Sequence, residues 1–273
     1  MTSGTHPRPG TDALLTPRSS RVLAARRLTE RAGRSASGQF LAEGPQAVGE
    51  AVAAGVVGEL FCTPDAARRH RSLLGAWFGH PALISERAAQ LLSETVQPQG
   101  IIAVCRPGAP PVIEVLAGVR LGVLLAEIND PGNAGTVLRT ADAAGATAVL
   151  FGAGSVDPFN GKCVRAAAGS HFHLDVVRDA VVTRAVDTAR AAGLRVLAAA
   201  GSGEADLDEE ADSGRLAAPT LWVFGNEARG LSAELAGRCD TRVRVPIHGR
   251  AESLNLAAAA AVCLYASARA QRN

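Results

Sequence analysis

Three short segments of this chain hold residue types that can do chemistry together. The first is NDPGNAGTVLRTADAAG (129–145). Asp130-Pro131-Gly132 reads as a turn, and Asn133 stands where it caps the helix that follows. Arg139 comes nearly two turns later, near enough to the sheet end to grip a phosphate. The second segment is VFGNEARGLS (223–232), in which Gly225 and Gly230 flank Glu227. Two glycines allow close backbone approach and positive φ, so the loop can wrap a ligand with its own N–H and C=O groups. The third is VPIHGRAESLNLAAAAA (245–261). There Ser253 reads as a helix cap and Asn255 lies near the helix N-terminus, where free N–H groups favour anions. Taken singly, each segment also reads as an ordinary capped helix or a glycine turn. Neither a phosphate loop with Gly-Lys-Ser/Thr nor a dinucleotide Gly-x-Gly-x-x-Gly is present.

The elements that must position these segments are strands. RLGVLLAEI (120–128) is nearly all apolar, as a strand buried on both faces of a parallel sheet requires. Further strands are predicted at 147–151, 171–177, 194–200, 220–225 and 241–247, with helices over 133–144 and from about Ser253 to Ala270. Each chemical segment thus begins just past a strand end, where open α/β sheets gather their ligands. Upstream, a basic helix is predicted from Arg18 to a stop at Gly33, then strands at 40–44, 58–63 and 100–106 interleaved with helices, a smaller α/β unit. Within it, Trp77 and Phe78 read as core. The predicted division is a disordered start (1–17), an α/β unit (18–106), a Pro-rich linker (107–118) and a second α/β domain (119–273). Glu204 to Asp212 packs six acids into nine residues and reads as a solvated loop, since like charges repel.

Composition narrows the classes. The chain has 273 residues, 47% hydrophobic and 20% charged, so it can bury a sizeable core. The longest uncharged helical stretch, 253–268, is short of the roughly 20 strongly apolar residues of a bilayer span. The start lacks the apolar core of an export signal. Five scattered cysteines without a Cys-x-x-Cys pair point to reduced thiols in the cytoplasm, not to disulfides or zinc. His171 and His173 share a strand face in this reading but lack a third ligand, so no metal is expected. His248 reads as a loop bystander. The basic residues are 27 Arg and one Lys, a skew read as coding bias. Residues 1–40 carry seven Arg against two acids; on charge alone, phosphate binding and a solvated terminus stay equally open.

In order, the three segments resemble the SpoU/TrmH family of RNA ribose 2'-O-methyltransferases, knotted α/β proteins of the SPOUT group. Asn133, Gly135, Arg139, Thr140 and Ala141 match its first motif. Phe224, Gly225, Asn226, Glu227 and Gly230 match the second. Val245, Pro246, Ile247, Ser253, Leu254 and Asn255 match the third, with Val245 in place of the usual Ile. The resemblance implies a mostly parallel C-terminal sheet with a deep trefoil knot, preceded by a smaller α/β RNA-binding domain. It implies S-adenosylmethionine held by Gly225, Val245, Ile247 and Leu254. Arg139 would be the central catalytic residue, with Asn133, Glu227, Ser253 and Asn255 orienting it, and Arg26, Arg27, Arg31 and Arg165 would touch RNA. A homodimer formed through the Ala-rich final helix is also implied. The fused N-terminal domain favours ribosomal over transfer RNA. A non-catalytic RNA-binding factor is the alternative of another class, and the full set of motif residues argues against it.

Overall fold

The computed structural model describes residues 14–272. The chain divides into two compact units, residues 1–106 and 107–273. The first contains strands β1 (Phe40–Glu43), β2 (Val57–Cys62), β3 (Ala82–Leu83) and β4 (Ile101–Cys105) in the order β1-β4-β2-β3. β4 is antiparallel to both neighbours, and β2 is parallel to β3. Phe61, Ile84, Ile102 and Leu28 fill its core. The predicted disordered start lies mostly outside the described residues. Its last part is ordered: Leu15 N–H donates to the Leu83 carbonyl and its own carbonyl accepts from Ser85 N–H. The basic helix passes through Gly33 and ends at Gly38, whose φ of +64° supplies the left-handed stop; a one-turn 3₁₀ segment, Arg27–Thr29, interrupts it. Neither predicted aromatic is core: Phe78 is fully exposed and Trp77 only half-buried, both lying just past the end of the helix Arg71–Ala76, which itself has no buried residue.

The second unit is a sheet of seven strands: β5 (Leu121–Leu125), β6 (Ala148–Gly152), β7 (Asp175–Ala180), β8 (Arg195–Ala199), β9 (Ala205–Asp206), β10 (Thr220–Phe224) and β11 (Thr241–Arg244). Their order is β7-β6-β5-β10-β8-β11-β9, every pairing parallel. β5, β6 and β10 are buried at every residue, which is why their sequences lack alternation. The sheet grows from β5 to β6 and β7 on one side, then places β10 and β8 on the other. That reversal puts the ends of β5, β10 and β8 side by side, with Leu125, Phe224 and Ala199 at one level. After β11 the helix Leu256–Ala270 returns to this centre. The fully buried Trp222 donates from Nε1 to Ser267 Oγ at 2.9 Å, and Gln271 Nε2 donates to the carbonyls of Arg120 and Ala218.

Two stretches differ from the sequence reading. The acid-rich run 204–212 is not a solvated loop: it forms β9 and the helix Leu207–Asp212. Its charges are met by arginines from elsewhere, Glu204 by Arg242, Asp206 by Arg244, and the buried Glu210 by Arg195 and Arg215. The predicted strand 171–177 begins instead as a 3₁₀ turn, Ser170–Phe172, and only Asp175–Ala180 is extended. This turn buries His171, which lies 2.7 Å from the Pro158 carbonyl, while His173 faces Asp142 at 2.8 Å. The two histidines therefore share no face.

Removing the Glu210 carboxylate strands Arg195 among buried groups, so E210A should lower unfolding free energy by about 3 kcal/mol. R215A, which loses a half-exposed partner, should cost about 1 kcal/mol or less; urea denaturation of the two variants checks the order. His171 gives a pH signature. Burial depresses its pKa from 6.5 to about 4, against the opposing pull of the Pro158 carbonyl. Between those values the unfolded chain binds more protons, so stability falls as pH drops through this window, by on the order of 3 kcal/mol in all. H171Q should flatten that slope in denaturation series between pH 6.5 and 4; equal slopes would refute the assignment.

Candidate active site

The loops after β5, β10 and β11 leave the sheet at one level, Val243 of β11 standing opposite Ala199, and hydrogen bonds knit them together. Glu227, in the loop after β10, is the knot of the network. Asn129 N–H donates to Oε2 at 3.3 Å, Asp130 N–H to Oε1 at 3.2 Å, and Asn133 Nδ2 to Oε1 at 3.4 Å. Asn255 then donates from Nδ2 to Asn133 Oδ1 at 3.1 Å. All three motif segments thus meet through side chains that are more than 90 residues apart in sequence.

The caps are not the ones the sequence suggested. Asp130, rather than Asn133, caps the helix Pro131–Ala144, accepting from Asn133 N–H at 2.7 Å. The signal was present in Asp-Pro: proline suits the first helical position, which makes the preceding residue the cap. Hydrogen bonding from the Lys162 ammonium, then from Asn133 N–H, holds the Asp130 carboxyl below its usual pKa. Likewise Asn255, not Ser253, caps Leu256–Ala270, through Ala257 N–H at 2.8 Å. Capping uses Asn255 Oδ1 and leaves Nδ2 for Asn133. Ser253 stands exposed two residues earlier.

Glycines at two motif positions have steric reasons. A Cβ on Gly135 would lie 2.4 Å from the Cys163 carbonyl oxygen, so that glycine lets the helix Gly161–Ala167 pack closely. A Cβ on Gly225 would lie 2.4 Å from Gly230 C. The loop 226–230 closes on itself there by Asn226 N–H to Gly230 O and Gly230 N–H to Asn226 O. Asn226 locks the turn, accepting from Ala228 and Arg229 N–H and donating to the Glu127 carbonyl. Glu127 holds φ at +56°, a strained value for a residue with a side chain, and pairs with Arg229 at 3.0 Å. Asn226, Asp130, Glu127 and Lys162 are site-forming residues that the sequence reading did not assign.

Beside this network lies an open cavity of about 250 Å³. Gly225, Val245, Ile247 and Leu254 line it, with Phe224, Val243 and Leu256 behind and Glu227, Glu252 and Ser253 at polar points. Ile247 and Leu254 are 37% and 39% exposed, apolar surface that a seated ligand would cover. Among described residues, no backbone-to-backbone hydrogen bond engages 247–253, so these peptide groups are available to a ligand. Arg139 does not join the network. It is exposed on the helix Pro131–Ala144, and no hydrogen bond or ion pair connects its guanidinium to another described residue. Arg165 lies half-buried on the helix Gly161–Ala167, and Arg26, Arg27 and Arg31 stand exposed in the first unit. Among described residues no group of three or more metal-ligating side chains gathers.

Family comparison matches this geometry. A model of the SpoU rRNA methylase family covers residues 120–265, and one of the MRM3-like substrate binding domain covers 19–103. The chain belongs to the SpoU family. Its relatives include the Bacillus subtilis 23S rRNA (guanosine(2553)-2'-O)-methyltransferase RlmP, 43% identical over 67% of this chain and 70% of RlmP. Solved relatives include an AdoMet-bound rRNA methyltransferase from Sinorhizobium meliloti, at TM-score 0.82 and 30% identity over 95% of this chain and 98% of that one. The SpoU methyltransferase AviRb from Streptomyces viridochromogenes, in complex with AdoMet, gives TM-score 0.82 and 30% identity over 93% and 98%. The parallel seven-stranded sheet is of the kind typical of the SPOUT knot fold. In this SpoU protein the cavity suits S-adenosylmethionine chemically: apolar walls for a purine, free peptide groups for its edge, and carboxylates with no basic side chain in the lining.

Alanine at Gly225 has to break the closed turn. G225A should therefore abolish calorimetric binding of S-adenosylmethionine while far-ultraviolet circular dichroism stays unchanged; binding at wild-type strength would show that the turn does not shape the cavity.

Proposed function

We propose that this SpoU protein transfers a methyl group from S-adenosylmethionine to a ribose 2'-hydroxyl of 23S-type ribosomal RNA. The observation carrying the reading is the joining of three strand-end loops, through Glu227, Asn133 and Asn255, at the rim of one cavity. The AdoMet-bound relatives support the cofactor, and RlmP supports the ribosomal substrate. The first unit's match to a substrate-binding domain supports a role for Arg26, Arg27 and Arg31 in holding RNA, with phosphate neutralisation as the driving force.

When bound, S-adenosylmethionine supplies an activated sulfonium methyl group. The residues' task is then placement, which can lower a barrier by several kcal/mol. Gly225, Val245, Ile247 and Leu254 hold the cofactor through backbone groups and apolar contact. Asn133 and Asn255 orient the acceptor ribose, Glu227 fixes both loops, and Ser253 offers a hydroxyl at the rim. Arg139 binds the neighbouring phosphate and stabilises the developing alkoxide. The guanidinium does not serve as the base; the hydroxyl proton is released to solvent water as the O–CH3 bond forms and the S–CH3 bond breaks.

Arg139 lies outside the network of its own chain, and this favours a site completed by a second copy. The helix Leu256–Ala270 exposes Val262 and Tyr265, at 44% and 53%, and packs beside the Arg139 helix. Together they form a partly apolar surface suited to a homodimer that carries Arg139 to the partner's cavity. No helix among the described residues is long and apolar enough to cross a membrane, and the cysteines are free thiols; both accord with work in the cytoplasm, beside nascent ribosomal RNA.

R139A should lose methylation of ribosomal RNA while binding S-adenosylmethionine with an unchanged Kd. Mixing R139A with G225A should restore a fraction of the activity if sites are shared. Absence of any rescue in chains shown to exchange subunits would argue for sites built within one chain.

A further inference from the structure

Of 28 basic residues, 27 are arginine and one, Lys162, is lysine. A chain that uses arginine wherever a cation is needed departs from that habit at one place, and the place adjoins the network of Glu227. Lys162 Nζ lies 2.9 Å from Asp130 Oδ2. The other oxygen, Oδ1, is taken by Asn133 N–H, so this carboxylate offers one acceptor and no fork for a guanidinium. The stem crosses Gly132 closely: a Cβ there would lie 3.2 Å from Lys162 Cε and 3.5 Å from Nζ. A compact ammonium fits over that backbone, whereas a planar guanidinium needs more width and a two-point partner.

On the reading of function above, we infer that Lys162 is a positioning residue for methyl transfer. It holds Asp130, Asp130 fixes the first turn of Pro131–Ala144, and the N–H groups of Asn129 and Asp130 with the Asn133 amide hold Glu227. The ion pair is half-exposed and adds little stability. Its effect is on geometry, where a displacement of about 1 Å at the site costs up to ~100-fold in rate.

Two measurements test this. K162R and K162C should each lower kcat on ribosomal RNA by about tenfold, with the Kd for S-adenosylmethionine within twofold of wild type. Alkylating K162C with 2-bromoethylamine rebuilds an ammonium at nearly the same length and should restore most of kcat, with wild type treated in parallel as control. Wild-type turnover by K162R, or no gain on alkylation, overturns the inference. The second measurement is independent of turnover. Protein grown on [ε-13C]lysine carries one labelled side chain, and its single resonance should move in D130N and also in E227Q, although Glu227 does not touch Lys162. A resonance unmoved in E227Q refutes the relay. If wild type neither binds S-adenosylmethionine nor methylates ribosomal RNA, the proposed function falls, while the resonance still decides whether Lys162 and Glu227 are linked.

Discussion

One carboxylate sets the geometry of the active region. Glu227 accepts from two successive backbone N–H groups and from the Asn133 amide, and these donors open the helix after β5. The N-terminus of that helix carries partial positive charge, so an anion placed there is held by the dipole and by direct hydrogen bonds. A carboxylate committed in this way makes a firm joint. The rest of the fold keeps it in place. The β5-β10-β8-β11 register brings the loops level, Asn226 locks the turn that bears Glu227, and Gly135 admits the helix that carries Lys162.

The same joint explains why the final helix must return to the centre of the sheet. Asn255 serves two loops at once, capping its own helix through Oδ1 and donating to Asn133 through Nδ2. That double use works only if the helix axis is fixed relative to β5. Two contacts at the far end fix it, the Trp222–Ser267 bond in the core and Gln271 on the carbonyls of Arg120 and Ala218. Both acceptors of Gln271 lie just before β5 and β10, so the helix is anchored at the opposite edge of the strands whose loops it completes.

What was legible in the sequence follows from locality. β5, β6 and β10 are unbroken apolar runs because both faces are covered, and the three motif loops follow strand ends. The segments that misled depend on distant partners. The acids of 204–212 repel one another until Arg195, Arg215, Arg242 and Arg244 arrive from other strands and turns. His171 and His173 alternate as in a strand, yet Gly169 with φ +103° turns the chain and sends them to different environments. The division of labour between Asp130 and Asn133 was hidden for another reason. Both are good caps, and Asn133 is freed for the network only because Asp130 takes the capping role.

Charge pairing sets Arg139 apart from its neighbours. Seven guanidiniums in the C-terminal unit are engaged with carboxylates: Arg190, Arg195, Arg215, Arg229, Arg238, Arg242 and Arg244 each have an acidic partner. Arg139 is left without one, although Asp142 stands three residues further along the same helix and is engaged with His173. An exposed guanidinium kept clear of nearby acids retains its full charge for an external anion. Had Asp142 been free to pair with it, that charge would be partly quenched and the side chain tethered. The His173–Asp142 contact thereby has a consequence for charge as well as for packing: it occupies the one carboxylate on that helix and leaves Arg139 available to an external anion.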